Sequence, residues 1–228
     1  MESVGLGAGG RWWEIGAGHG RTAQDMQEVV GPSGFVRATD KTLHPGAVVR
    51  VERHDIVTDP VPDDEPFDGV HARMVFAHIP AREEALLRAA GTVRRGGGIV
   101  VEEMGLYTGY VAYSAVDDAQ RLHARYSGAL REILDGFGNE ATWARQIPRV
   151  LARAGYSDFH VEVHTETWPG ATAGCELLVS VSDGLRPHLA AQGFGEQDVG
   201  RLHEMLRHPS TRLVANPLVC TTAIRTGD

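Results

Sequence analysis

The residues best placed to do chemistry lie in one short run and at a few positions spaced after it. Trp12-Trp13-Glu14-Ile15 is apolar apart from one acidic residue, and Gly16-Ala17-Gly18-His19-Gly20 follows at once. An apolar run that breaks into alternating glycines reads as a strand, a tight turn and a helix start. Glycine suits such a turn because its backbone reaches φ values other residues avoid, and because no Cβ blocks a ligand from the main-chain N–H groups. The chemistry implied is cofactor binding, and the spacing narrows the ligand. A dinucleotide fingerprint, G-x-G-x-x-G, would place its third glycine where this chain has Arg21. Acidic residues then recur at the ends of the next two apolar runs, as Asp40 and Asp55.

Those positions need elements to hold them. Strands are expected over 11–15, 35–39, 48–53, 67–72 and 98–103, with helices over 22–30 and 82–93 between them. Gly31-Pro32-Ser33-Gly34 stops the first helix, and the Asp- and Pro-rich stretch 58–66 is a loop. Repeated strand–helix–strand units call for a parallel sheet with helices on both faces. Further on, 107–134 carries Tyr107, Tyr110, Tyr113 and Tyr126 with apolar residues at roughly helical spacing. A helix is expected over 142–154, an alternating strand over 159–167, and helical pieces over 173–206. Residues 212–225, interrupted by Asn216-Pro217, read as the last strand.

In order along the chain, the acidic-x-Gly-x-Gly-x-Gly run, Asp40, His54-Asp55-Ile56 and Phe67-Asp68 resemble the class I S-adenosylmethionine (SAM) dependent methyltransferases. The likeness is strongest to the small-molecule, natural-product methyltransferases of actinobacteria. The stretch from Phe67-Asp68 to His78-Ile79-Pro80 is similar to the family's fourth motif. Val93-Arg94-Arg95-Gly96-Gly97-Gly98 is similar to its turn into the fifth strand, where relatives often carry Pro-Gly-Gly. The resemblance covers residues 11 to about 104 and is loose beyond. It implies an α/β, Rossmann-like fold: a seven-stranded sheet, six strands parallel and the last antiparallel, in a single domain over 1–228. Residues 1–104 would be the SAM-binding half, with helical substrate-cap insertions at 105–138 and 170–208.

The resemblance also implies roles. Gly16, Ala17 and Gly18 would let the backbone pass under the methionine part of SAM, with Glu14 holding its amino end or, alternatively, capping the turn. Asp40 would accept hydrogen bonds from the ribose hydroxyls, with Lys41 beside it. Asp55 would accept from the adenine amino group, framed by Ile56 and the His54 backbone. Ala72 and Arg73 would add main-chain contacts; Arg73 has a surface ion pair as its alternative role. Two departures stand out. Relatives usually carry helices ahead of the first strand, where this chain has about ten mostly glycine-rich residues, and His19 replaces a small residue.

Methyl transfer needs a general base only when the acceptor must lose a proton. His78 is the first candidate, although a histidine just before proline also occurs in this family as a helix-start feature. Glu103, at the end of the fifth strand, would orient the acceptor or stabilise developing positive charge. Tyr107, Tyr110, Tyr113 and Trp143 are candidate substrate-binding aromatics, with core packing as the alternative. No Asp/Asp/Asn set or His/Cys cluster calls for a metal.

Composition bounds the rest. The chain has 228 residues, 42% hydrophobic and 23% charged, with a net charge of −8, and Lys41 is its sole lysine. Without a basic stripe it is a poor nucleic-acid binder. Arg94-Arg95 stand together, as expected of a helix-end cap. Cys175 and Cys220 form no motif, and no apolar run reaches the ~20 residues of a membrane span. The expected setting is the cytoplasm and the expected partner a small-molecule acceptor, with no nucleic acid and no membrane; a homodimer stays open. The scaffold leaves open a non-methylating SAM enzyme (cyclisation or decarboxylation) or a non-catalytic SAM-binding protein.

Overall fold

Trp12 and Trp13 point to opposite faces of one strand, and both are fully buried. That is the signature of a central strand covered on both sides, and it explains the near-continuous apolar run of β1 (Arg11–Ile15). The computed structural model describes residues 4–62, 65–105 and 107–227. Its main sheet has the order β3 (Glu52–Arg53), β2 (Phe35–Asp40), β1, β4 (Phe67–Arg73), β5 (Val93–Met104), β10 (Leu218–Arg225), β7 (Tyr156–His164). β1, β2, β3, β4 and β5 pair in parallel. The last strand is antiparallel: Arg225, at the end of β10, donates to the Val93 carbonyl at the start of β5, and the Thr226 N–H to the Gly155 carbonyl just before β7.

The helices follow from which side each strand residue faces. On the Trp12 side, α1 (Arg21–Val30) buries Met26 and Val30 against Trp12, Val100, Val4 and Leu6. On the Trp13 side, α2 (Arg82–Gly91) and α4 (Ile147–Arg153) bury Leu86, Ala89, Val150 and Leu151 with Phe67, Val70 and Ile99. In register, Ile15 lies beside Thr39 and Ala72, Asp40 beside Arg53, and Arg73 beside Glu102. The strand tips therefore form one row, and the loops leaving them carry the candidate site.

The chain divides into two compact units. The first holds the chain through Glu103, then Thr142–Glu162, then Val219 onward; the second holds Met104–Ala141 and Val163–Leu218. The second has a small antiparallel sheet, β6 (Tyr110–Tyr113), β9 (Arg212–Val214) and β8 (Thr167–Pro169). Its helices are α3 (Ala119–Gly136), α5 (Ala173–Gly184), α6 (Arg186–Ala191) and α7 (Glu196–Arg207). They close over their own core, which includes Tyr126, Cys175, Leu202 and Leu213.

Four sequence expectations need correction. The stretch 107–134 is not one helix: its first tyrosines lie on β6, and α3 begins only at Ala119. β3 is two residues long rather than six: the Val48 N–H donates to the His19 carbonyl, and Val49 and Val51 pack at Gly20 before the short ladder begins. Residues 212–225 make two strands in two sheets, divided around Asn216-Pro217, where proline lacks the N–H a ladder needs. Arg94 and Arg95 lie within β5, where Arg94 pairs with Asp68 at 2.6 Å, rather than capping a helix.

Candidate active site

The turn after β1 uses its glycines in two ways. Gly16, Gly18 and Gly20 all have positive φ, a region in which other L-residues are strained. Gly16 also leaves space, since a Cβ there would stand 2.3 Å from Val75 Cγ2. The N–H groups of this turn are mostly engaged within the protein. Ala17 N–H donates to the Thr39 carbonyl, Gly20 N–H to the Ala17 carbonyl, and Gly18 N–H to Asp40 Oδ2 at 2.8 Å. The turn is therefore not the open N–H cradle expected from glycine spacing alone, nor the anion nest of a pyrophosphate binder.

A cavity of about 590 Å³ opens beside it, within the range of small-molecule sites. It is lined by Ile15, Gly16, Asp40, Lys41, His54, Asp55, Ile56, Met74, Val75 and His78, among others. Asp40 ties two loops together: Oδ2 accepts from Gly18 N–H and Oδ1 from Thr42 N–H, both at 2.8 Å. Each oxygen keeps a further lone pair, as a ribose diol requires. Asp55 accepts the Val57 N–H at 3.0 Å and pairs with Lys41 at 3.0 Å, and these contacts hold its pKa below the usual carboxylate range. His54 is fixed by its Nε2 contact to the Pro60 carbonyl and by edge contact with Trp13, beside the buried Ile56.

The turn after β4 forms another wall. Met74 has φ +57, a strained value for a non-glycine residue, and precedes a short 3₁₀ turn at Phe76–His78. Glu103 Oε1 accepts the N–H groups of Val75, Phe76 and Ala77 at 3.2, 2.6 and 3.2 Å. Burial raises its pKa to about 7, against those three bonds and the Arg82 charge. Glu103 thus lies under the turn rather than among the cavity-lining residues. His78 lines the cavity, and desolvation lowers its pKa, which favours the neutral imidazole a base needs.

Other expected site residues are placed differently. Glu14 is buried and meets His71 Nδ1 at 2.5 Å, across the β1–β4 pairing. His71 Nε2 lies 3.5 Å from Glu102, which also pairs with Arg73 at 3.6 Å. Burial alone would lower the His71 pKa, but the Glu14 charge and the bonds to Glu102 and Glu14 raise it to about 9. Burial raises that of Glu14, against the His71 charge. Sequence reasoning missed His71, although its place in a motif flanked by apolar residues was a signal. Ala72 is buried at the β4 tip. Trp143 sits in the core of the first unit with Phe76 and Ile147. In the second unit, the Tyr107 hydroxyl accepts from Asn139 at 3.4 Å, and Tyr110 and Tyr113 are exposed on β6. Among the described residues, no group of three or more His, Cys, Asp or Glu is placed to hold a metal, and no helix is long and apolar enough to cross a membrane.

Comparison with known proteins adds to this geometry. Residues 13–101 match the family described as a methyltransferase domain. None of the curated proteins matches the chain in sequence. Several solved structures share the fold. A candidate methyltransferase from Bacillus halodurans is 15% identical with TM-score 0.59, over 100% of this chain and 97% of that one. A candidate methyltransferase of an antibiotic biosynthesis pathway, from Anabaena variabilis, is 16% identical with TM-score 0.58, over 96% and 92%. A Haemonchus contortus phosphoethanolamine N-methyltransferase, solved with phosphomonomethylethanolamine and S-adenosylhomocysteine, is 15% identical with TM-score 0.57 over 99% of this chain; the chain spans about half (51%) of its length. The match to the methyltransferase domain family is thus confined to residues 13–101, and the likeness to these solved structures is one of fold.

Proposed function

We propose that this protein transfers a methyl group from SAM to an O, N or C atom of a small-molecule acceptor, in secondary metabolism of the natural-product type. The observation that carries the cofactor half of this proposal is the cavity at the strand tips. It combines a glycine turn that lacks an open anion nest with two carboxylates, Asp40 and Asp55, and an apolar wall of Ile56, Met74 and Val75. That donor set suits a nucleoside without phosphates, since hydroxyl and amino donors meet carboxylate acceptors and an aromatic base meets apolar side chains. When bound, SAM supplies a methyl carbon already activated by its sulfonium, and the protein's task is to hold the acceptor in line with it.

In this proposal Asp40 takes the ribose hydroxyls, Asp55 and Ile56 the adenine, and Gly16 to Gly18 the methionine end. His78 accepts a proton from acceptors that must lose one. Glu103 acts through the turn it holds, as a positioning residue for Val75 and His78. Tyr107, Tyr110 and Tyr113 are proposed acceptor residues, supported by the exposure of two of their phenols. The natural-product assignment rests on the sequence likeness and on the pathway named for the Anabaena protein.

The test is an incubation with SAM and a panel of small metabolites, followed by mass spectrometry. Release of S-adenosylhomocysteine together with a product heavier by one methyl group supports the proposal. A product formed without methyl gain would replace it with a cyclisation or decarboxylation, and SAM binding without turnover on any acceptor would replace it with a binding role.

A further inference from the structure

The outer edge of the main sheet carries a sequence that complements itself. β7 is the last strand of the sheet, with β10 on one side and no strand of this chain, among the described residues, on the other. Such an edge presents backbone donors and acceptors that can pair with a further strand. Asp158, with φ +53, breaks the regular backbone early in the strand, and the stretch Phe159 to His164 follows it. Phe159, Val161 and Val163 alternate on one side and are 38%, 48% and 62% exposed, an unusual apolar row to leave in water. His160 and Glu162 alternate on the other side, 3.0 Å apart, with His164 beyond.

We infer that β7 pairs antiparallel with β7 of a second copy of this chain, about a two-fold axis at Val161, joining two seven-stranded sheets edge to edge. In that register Val161 faces its own copy, and Phe159 faces Val163 of the partner subunit. His160 faces Glu162 of the partner subunit, and the reverse pair forms by symmetry. The apolar side becomes one continuous strip, and the polar side gains two opposite-charge or hydrogen-bonded pairs. Neighbouring registers lose this match. Residues directly opposite share a face, so the register shifts in steps that move the axis by a whole residue. An axis at His160 sets Asp158 against Glu162, and an axis at Glu162 sets two glutamates against each other. Charge pattern and apolar pattern therefore select the same pairing, and an isologous dimer is the closed form that such an edge permits.

The experiment uses the full chain. Light scattering coupled to gel filtration should give twice the chain mass at tens of micromolar. His160→Glu, which sets like charges opposite each other, should weaken dimerisation at least tenfold with an unchanged melting profile. Adding Glu162→Lys to it should restore the dimer. Independently, Val161→Cys should cross-link under mild oxidation beyond the background set by Cys175 and Cys220 in the wild type. Val163→Cys should not, because its two copies lie roughly 14 Å apart along the strands at ~3.4 Å per residue, beyond disulfide reach. A wild-type monomer throughout this range overturns the inference. So does a dimer that His160→Glu leaves intact, or one in which Val161→Cys fails to cross-link.

Discussion

Asp40 is the residue on which the cofactor assignment turns. It does two jobs with four lone pairs: two bind the Gly18 and Thr42 N–H groups, and the others are available to a ligand in the cavity it lines. Asp40→Ala should weaken SAM binding by about 1–3 kcal/mol, read by isothermal titration, because it removes a charged acceptor. Gly16 tests the turn itself. Gly16→Ala carries the left-handed backbone penalty of roughly 1–2 kcal/mol, and its Cβ would strike Val75. Urea unfolding should show that loss; adding Val75→Ala should recover the steric part and leave the backbone part. Glu103 gives a pH signature. Its folded pKa is raised, so its contribution to stability is complete below about 4.5 and is lost as pH rises through about 7. Glu103→Gln should therefore flatten the stability profile over that window relative to wild type, and identical profiles would show that Glu103 does not titrate there. Asp40 and Asp55 were legible in the sequence because an acidic residue ending an apolar run marks a strand tip. The contacts of Glu103 were not, since it holds amides 26 to 28 residues away and no local pattern records such a bond.

Between elements, the Glu14–His71 pair locks β1 to β4 beneath the turn. Both side chains are buried, so removing one leaves the other without its counter-charge. His71→Ala should cost about 3–5 kcal/mol in chemical denaturation. The sign with pH follows from the raised histidine: its stabilisation is complete below 6.5 and is lost as pH rises through about 9. The gap between wild type and His71→Gln should be widest near pH 6 and narrow toward pH 9; a gap that widens would contradict the pairing. Most elements of the first unit could be read from sequence because apolar runs and glycine stops alternate cleanly through the first hundred residues. β3 and β6 could not. The valines before β3 are satisfied by packing on Gly20, and the tyrosines of β6 sit at a spacing that fits a helix as well as a short strand. Partners distant in sequence decided both.

At the scale of the molecule, the family likeness implied a seven-stranded sheet with an antiparallel last strand, and the main sheet has seven strands with its last strand antiparallel. The second unit was read only as helical insertions. Its three-stranded sheet joins strands from three separate stretches of the chain, β6, β8 and β9, a pairing that no single segment announces. The acceptor was not legible for a related reason: methyl transfer asks the protein mainly for position, and position leaves no short motif. The cofactor is more accessible to test. Titration calorimetry of SAM and of NAD into wild type and Asp40→Ala bears directly on the central claim, that the strand-tip cavity is a SAM site anchored by Asp40. One SAM should bind per chain, with roughly five-fold or greater weakening in Asp40→Ala and no heat from NAD. NAD binding in place of SAM, or SAM affinity indifferent to Asp40, would contradict it.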